Sequence, residues 1–180
     1  MIKSEEVFIT NSFGETQKLG EEFARSHPFG LSSQGRRIAR LKCALIALYG
    51  DLGSGKTTFV QGLAKGLEIK RRIISPTFII VRNYELGIRN QELGRNNFYH
   101  IDLYRMETEK DIESLGIDEI MEDPQNIVAI EWAEKMGNLL PKERIDIRFA
   151  SISENERRIT INIKNQKLNI KNTRFARRVD

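Results

Sequence analysis

The spacing of apolar residues changes period several times along the chain, and each change marks an element. Val7, Phe8 and Ile9 predict a short first strand. Ser12-Phe13-Gly14-Glu15 follows with capping-box spacing, in which the serine accepts from the helix and the glutamate reaches back. The helix it opens runs through Leu19 and Phe23 to about Ser26, where His27-Pro28-Phe29-Gly30 breaks it. Residues 45–49 (LIALY) form the kind of short apolar run that makes a buried parallel strand. Phe59, Val60, Leu63, Ala64 and Leu67 then return to helical spacing.

The second half repeats the alternation. Ile73-Ile74 and residues 78–81 (FIIV) are strand-like, with Ser75-Pro76 inserting a rigid extended step between them. Residues 86–97 carry two glycines and three asparagines and predict a turn-rich link to the segment 98–105 (FYHIDLYR), which opens with an aromatic strand. Residues 107–121 read as one acidic helix with Ile112, Leu115, Ile117 and Ile120 inward, closed by Asp123-Pro124. Residues 126–130 (NIVAI) predict a second buried strand. Residues 144–149 and 158–163 alternate strictly around Ser153-Glu154-Asn155-Glu156, the pattern of an antiparallel hairpin with one wet face.

Between the strand at 45–49 and the helix after it stands Gly50-Asp51-Leu52-Gly53-Ser54-Gly55-Lys56-Thr57, which fits G-x-x-x-x-G-K-[ST]. The chemistry requires these residue types. Glycines let the backbone approach phosphate oxygens with no Cβ in the way, and successive N–H groups form an anion nest at a helix N-terminus. Lys56 brings a point charge to the β- and γ-phosphates, and the Thr57 hydroxyl is a ligand for Mg²⁺. Strand, glycine loop and helix together give the motif its required setting.

Three downstream residues extend that site. Glu131 ends the apolar strand 126–130, the Walker B arrangement that delivers an acid to the Mg²⁺ shell, with Glu where Asp is usual. Asp102 ends the aromatic strand, where a carboxylate faces the rim of the sheet. Thr77 is a hydroxyl in the constrained turn after Ser75-Pro76, a place where P-loop proteins keep a nucleotide-sensing switch; a threonine pairing in a strand is the other reading. His100 shares a strand face with Asp102, either as a base with its orienter or as a structural hydrogen-bonding neighbour.

Composition adds limits. The chain has 180 residues, one cysteine and a net charge of +4. Residues 153–180 hold eight Lys/Arg against three Asp/Glu, so the excess of positive charge belongs to the C-terminal piece, which suits either a solvated tail or contact with RNA or an acidic surface. No apolar run approaches the ~20 residues of a membrane span, and the first residues carry no secretory pattern, so a cytoplasmic protein with no membrane partner is expected. Cys43, a single thiol beside an apolar strand, fits a reducing compartment and a small buried residue. One Cys and two His exclude a zinc-type cluster.

These segments together resemble the TsaE (YjeE) family of P-loop ATPases of tRNA threonylcarbamoyladenosine biosynthesis. The residues that carry the resemblance are 50–58 (GDLGSGKTT, which adds Thr58), 75–78 (SPTF), 100–105 (HIDLYR), 131–132 (EW) and 140–141 (LP), in this order, with 16–20 (TQKLG) ahead of them, over residues 5–165. The resemblance implies an α/β, P-loop NTPase-like three-layer fold: a mixed sheet with a parallel core, helices on both faces and antiparallel C-terminal strands. It implies one ATPase domain over residues 1–165, with 166–180 as a basic extension. It further implies binding and slow hydrolysis of ATP to ADP with Mg²⁺, stimulated by partner proteins. Those partners are TsaD and TsaB, with tRNA met indirectly or through the basic C-terminal residues.

By the same resemblance, Lys56 and the loop amides hold phosphates, Thr57 and Glu131 hold Mg²⁺, Asp102 acts on water, Thr77 belongs to the switch and Ser12 touches the nucleotide. Trp132 either gates the site, packs at the TsaD interface or anchors the edge of the sheet. The links at 27–42 and 86–97 are longer than the family's pattern. A small-molecule kinase on the same loop is the main rival, although the residues after Asp102 are acidic where a kinase lid is Arg-rich. The other is a nucleotide-dependent adaptor that does not hydrolyse. No N-K-x-D guanine-reading motif occurs, which favours ATP over GTP.

Overall fold

The computed structural model describes residues 4–26, 43–76, 79–87 and 95–163. Thr77, the links at 27–42 and 88–94, and the basic residues from 164 onward lie outside these.

Seven strands form one sheet: β1 (Ser4–Thr10), β2 (Ala44–Tyr49), β3 (Val81–Glu85), β4 (Asn97–Asp102), β5 (Asn126–Glu131), β6 (Ile145–Ser151) and β7 (Arg157–Ile163). Their spatial order is β1-β7-β6-β2-β5-β4-β3. The centre is parallel, with β2 between β5 and β6 and β4 beside β5. Both margins are antiparallel, β3 on β4 at one side and the β6–β7 hairpin with β1 at the other. The expected mixed sheet with a parallel core is therefore present.

Period-2 alternation sorts the central strands between two cores. Ile46, Leu48, Phe98, Ile127, Ala129 and Ile147 face α1 (Phe13–Ser26) and α2 (Lys56–Gly66), while Leu45, Ala47, Ile101, Val128 and Ile130 face the opposite layer. That second layer is made of α3 (Glu109–Glu113), α4 (Ile117–Glu122) and a 3-10 stretch, Ala133–Leu139. Phe59 of α2 packs at 5.8 Å from Phe23 and edge-on at 5.7 Å from Phe149, tying both helices to the sheet. The two helices touch backbone to backbone. A Cβ on Gly62 would lie 1.8 Å from the Gln17 carbonyl oxygen, and one on Gly20 2.2 Å from that of Phe59.

Several expectations are corrected. The acidic helix of 107–121 is two short helices, because Gly116 takes φ 65 and turns the chain between them. Thr108 begins the first with a reciprocal capping box to Asp111. Ile73-Ile74 forms no strand; Ile73 is buried against α2 while Ile74 stays 44% exposed. The strand expected from residue 78 starts only at Val81, since Ile80 has φ 63, outside the extended region. At α1 the Ser12 hydroxyl accepts from Glu15 N–H as expected, but the Glu15 carboxylate reaches Asn11 N–H, one residue beyond the box. Cys43 is half-buried just ahead of β2.

Candidate functional site

Register brings the two downstream acids together. β4 and β5 pair in parallel with Asp102 opposite Glu131 and His100 opposite Ala129, so His100, Asp102 and Glu131 all face α2. All three are almost wholly buried, at 0%, 4% and 2% exposure. Buried carboxylates are tolerated only when hydrogen-bonded, and each of these is.

Glu131 is held at both oxygens. Thr57 Oγ1 donates to Oε2 at 2.8 Å, and His100 Nε2 lies 2.8 Å from Oε1. His100 Nδ1 is buried with no partner, which suits the neutral ring donating through Nε2; a second N–H there would be buried unsatisfied. Asp102 accepts from Ser75 Oγ at 2.7 Å and from Tyr104 N–H at 3.0 Å. Of the two readings left open for His100, neither holds in its original form, because its partner is Glu131 on the next strand and not Asp102.

The glycine loop lies at the end of β2, beside these acids. Gly50, Gly53 and Gly55 have φ 139, 76 and 104, conformations open to glycine at little cost. Among the described residues no side chain caps α2, which leaves its first amides available to an anion. Lys56 Nζ folds back onto the Gly50 and Asp51 carbonyls at 2.5 and 2.9 Å and rests 4.0 Å from the centre of the Trp132 ring. Burial lowers the Lys56 pKa, against the opposing pull of Glu131, Glu134, Asp102 and Asp51. Asp51, Leu52 and Gly53 form the exposed crest of the loop, Ser54 is buried beneath it, and Thr58 is half-buried in the first turn of α2.

Trp132 is half-buried and packs against the core on the α3–α4 side of the sheet, as the anchoring reading expects. β5 is central, and the ring sits at the strand's C-terminal end between Lys56 and Tyr104, whose ring centre is 5.2 Å away. Its φ of 58 turns the chain sharply out of the sheet after Glu131. Ser12 is engaged as the cap of α1; one turn on, Thr16 packs 3.5 Å from where a Cβ of Gly55 would stand, so the helix start adjoins the loop. Thr77 lies outside the described residues.

Three features had no reading in the sequence. Arg157, at the hairpin turn, donates to the carbonyls of Ser153, Glu154 and Glu156 and reaches the Gly53 carbonyl at 3.3 Å, bracing the loop from β7. Asp146 accepts from Tyr49 Oη at 3.1 Å and from Arg144 Nε at 2.6 Å, fixing β6 to the residue just before the loop. The glycine contact of α1 with α2 had a legible signal, the Gly62-x-x-x-Gly66 spacing.

Comparison with known proteins agrees with this layout. The profile of the family described as "Threonylcarbamoyl adenosine biosynthesis protein TsaE" matches residues 10–159. The tRNA threonylcarbamoyladenosine biosynthesis protein TsaE of Bacillus subtilis is 40% identical over 131 residues, covering 69% of this chain and 77% of that protein. The protein of the same name from Synechocystis is 35% identical over 135 residues, 73% of each chain. The crystal structure of Bacillus subtilis YdiB superposes with a TM-score of 0.66 at 28% identity, covering 92% of this chain and 89% of that one. With the profile spanning both the glycine loop and the paired acids, the chain belongs to the TsaE family.

Proposed function

We propose that this chain is a Mg²⁺-dependent ATPase that acts in tRNA threonylcarbamoyladenosine biosynthesis by supporting turnover of a TsaD–TsaB assembly. The observation that carries the reading is the 2.8 Å bond from Thr57 to Glu131. It joins the last motif residue of a phosphate-binding loop to an acid on the neighbouring strand, the pair that holds Mg²⁺ in P-loop NTPases.

The donor set fits that ion. A hydroxyl and a carboxylate are hard oxygen ligands, and Mg²⁺ takes only one or two from protein while phosphate and water supply the rest. Among the described residues no group of three or more His, Cys, Asp or Glu forms a cage for another metal. When bound, Mg²⁺ neutralises charge that develops on the phosphate oxygens.

The chain's own residues do the remaining work. The free amides at the start of α2 and the Lys56 ammonium bind the β- and γ-phosphates of ATP, Lys56 giving up its carbonyls for phosphate oxygens. Trp132 keeps that ammonium over its ring and shields it from water. Asp102, anchored by Tyr104 N–H and Ser75 Oγ, orients the attacking water and accepts its proton. By the family resemblance, Thr77 would sense the γ-phosphate and Ser12 would touch the nucleotide.

The deciding experiment is phosphate release from ATP, with and without TsaD–TsaB, for wild type and Lys56→Ala. Slow release by the chain alone, faster with the partners and absent in Lys56→Ala, is expected, together with Lys56-dependent tRNA modification in a reconstituted system. No release under either condition, with ATP still bound, would make the chain a nucleotide-dependent adaptor.

A further inference from the structure

Beside the start of α1, along the second half of α2, runs a groove of about 450 Å³ whose far wall is the segment 69–73. Its lining includes Phe13, Lys65, Lys70, Arg71 and Arg72 and contains no Asp or Glu. The three consecutive cations are exposed and form no ion pair among the described residues. Adjacent like charges repel one another, and among the described residues no acidic side chain lines the groove to offset them. Inside it, amides are linked in series. Lys65 Nζ donates to Gln17 Oε1 at 2.5 Å, Gln17 Nε2 to Gln61 Oε1 at 3.4 Å, and Gln61 Nε2 to the Ile73 carbonyl at 3.4 Å. At one end Phe13 leaves 63% of its surface in water, although it sits on the first turn of a helix whose other apolar residues are buried.

We propose that this groove binds a single-stranded segment of RNA. Lys70, Arg71 and Arg72 meet successive phosphates, the glutamine amides reach base edges, and the Phe13 ring stacks a base. An acidic peptide would satisfy the cations but leave the exposed ring idle. RNA uses both, and the names of the relatives from Bacillus subtilis and Synechocystis place them in a tRNA pathway. None of the lining residues belongs to the phosphate loop or to the basic sequence beyond residue 163. The inference therefore stands apart from the proposed hydrolysis.

The test is fluorescence anisotropy of a labelled 12-nucleotide single-stranded RNA with the full chain, without nucleotide or partner proteins, from 50 to 200 mM salt. For Lys70→Gln/Arg71→Gln/Arg72→Gln, affinity falls at least about tenfold and the log–log salt slope shrinks by about 2, at ~0.7 per lost phosphate contact. For Phe13→Ala, affinity falls several-fold with the slope unchanged. Thermal melting and ATP turnover stay at wild-type values in both. RNA binding equal to wild type in the triple variant overturns the proposal and assigns the affinity to the C-terminal basic residues. Competition by poly-glutamate as strong as by RNA, with no effect of Phe13→Ala, also overturns it and makes the groove a site for acidic protein.

Discussion

His100 Nε2 stands 2.8 Å from Glu131 Oε1 in a site closed to water, the histidine being 0% exposed. The contact fixes the carboxylate so that its other oxygen meets Thr57. A partner of this kind sets the orientation of a metal ligand without touching the metal, and its loss typically costs 10–100-fold in metal affinity. In His100→Ala the Mg²⁺ concentration for half-maximal ATP hydrolysis is expected to rise by about that factor, while nucleotide binding in EDTA is retained. A purely structural histidine would lower the melting temperature and leave the Mg²⁺ midpoint where it was. Titrating Mg²⁺ against phosphate release separates the two.

Glu131 and Asp102 are register partners with different neighbours, and their variants should fail differently. Glu131→Ala removes a metal-side oxygen, so both Mg²⁺ affinity and turnover fall. Asp102→Ala leaves Thr57 and Glu131 intact, so turnover falls at saturating Mg²⁺ while the Mg²⁺ midpoint stays near wild type. A loss of about 10²-fold or more in turnover is expected for each, with nucleotide binding still detectable. Equal turnover to wild type in either variant removes that residue from the mechanism.

The parts of this site that were legible in sequence are those that local chemistry dictates. Gly50, Gly53 and Gly55 are written where the backbone needs φ > 0, and a strand of unbroken apolar residues ending in Glu131 is readable without a partner. The sharing of a face by His100 and Asp102 followed from period 2, but the identity of their partners did not. His100 meets Glu131 only because β4 pairs β5 in one particular register, which lies 31 residues away in sequence. Ile73-Ile74 misled for a related reason, since β-branched residues suit a buried surface of either kind, and here Ile73 joins the core cluster of α1 and α2 without pairing in the sheet. The single acidic helix failed at Gly116, whose left-handed φ outweighed the apolar period running through it. Arg157 sits among polar hairpin residues that carry no periodic signal at all.

The Gly62 contact has a stability consequence. In Gly62→Ala the added methyl falls 1.8 Å from the Gln17 carbonyl oxygen and 2.7 Å from its carbon, backbone atoms that no rotamer change can move. Helix propensity alone favours alanine by up to ~1 kcal/mol. Overpacking of a rigid backbone costs about 1–3 kcal/mol or more and is expected to win. Chemical denaturation should show a net loss with an unchanged m-value, whereas Gly14→Ala, 3.8 Å from its nearest neighbour on the same helix pair, should be neutral or stabilising. A more stable Gly62→Ala would mean that α1 is free to shift.

Burial holds the Lys56 pKa below the ordinary lysine value of 10.5 even with four carboxylates drawing it upward. Bound phosphates add negative charge within reach of the ammonium and raise its pKa. Between the depressed pKa of the free protein and the raised pKa of the complex, nucleotide binding therefore takes up a proton, and affinity falls as pH rises. Below that window Lys56 is protonated in both states and contributes no pH dependence. The second ionisation of a phosphate, near pH 6, belongs to the nucleotide and persists with Lys56→Arg, which separates it from the lysine's own proton. Calorimetry of ADP binding as pH is raised, in buffers of different ionisation enthalpy, should report net proton uptake. Lys56→Arg should abolish the lysine's share of that uptake, because a guanidinium stays charged throughout the range. Equal enthalpies in all buffers for the wild type would show that the buried ammonium never loses its proton, and that the neighbouring carboxylates prevail over desolvation.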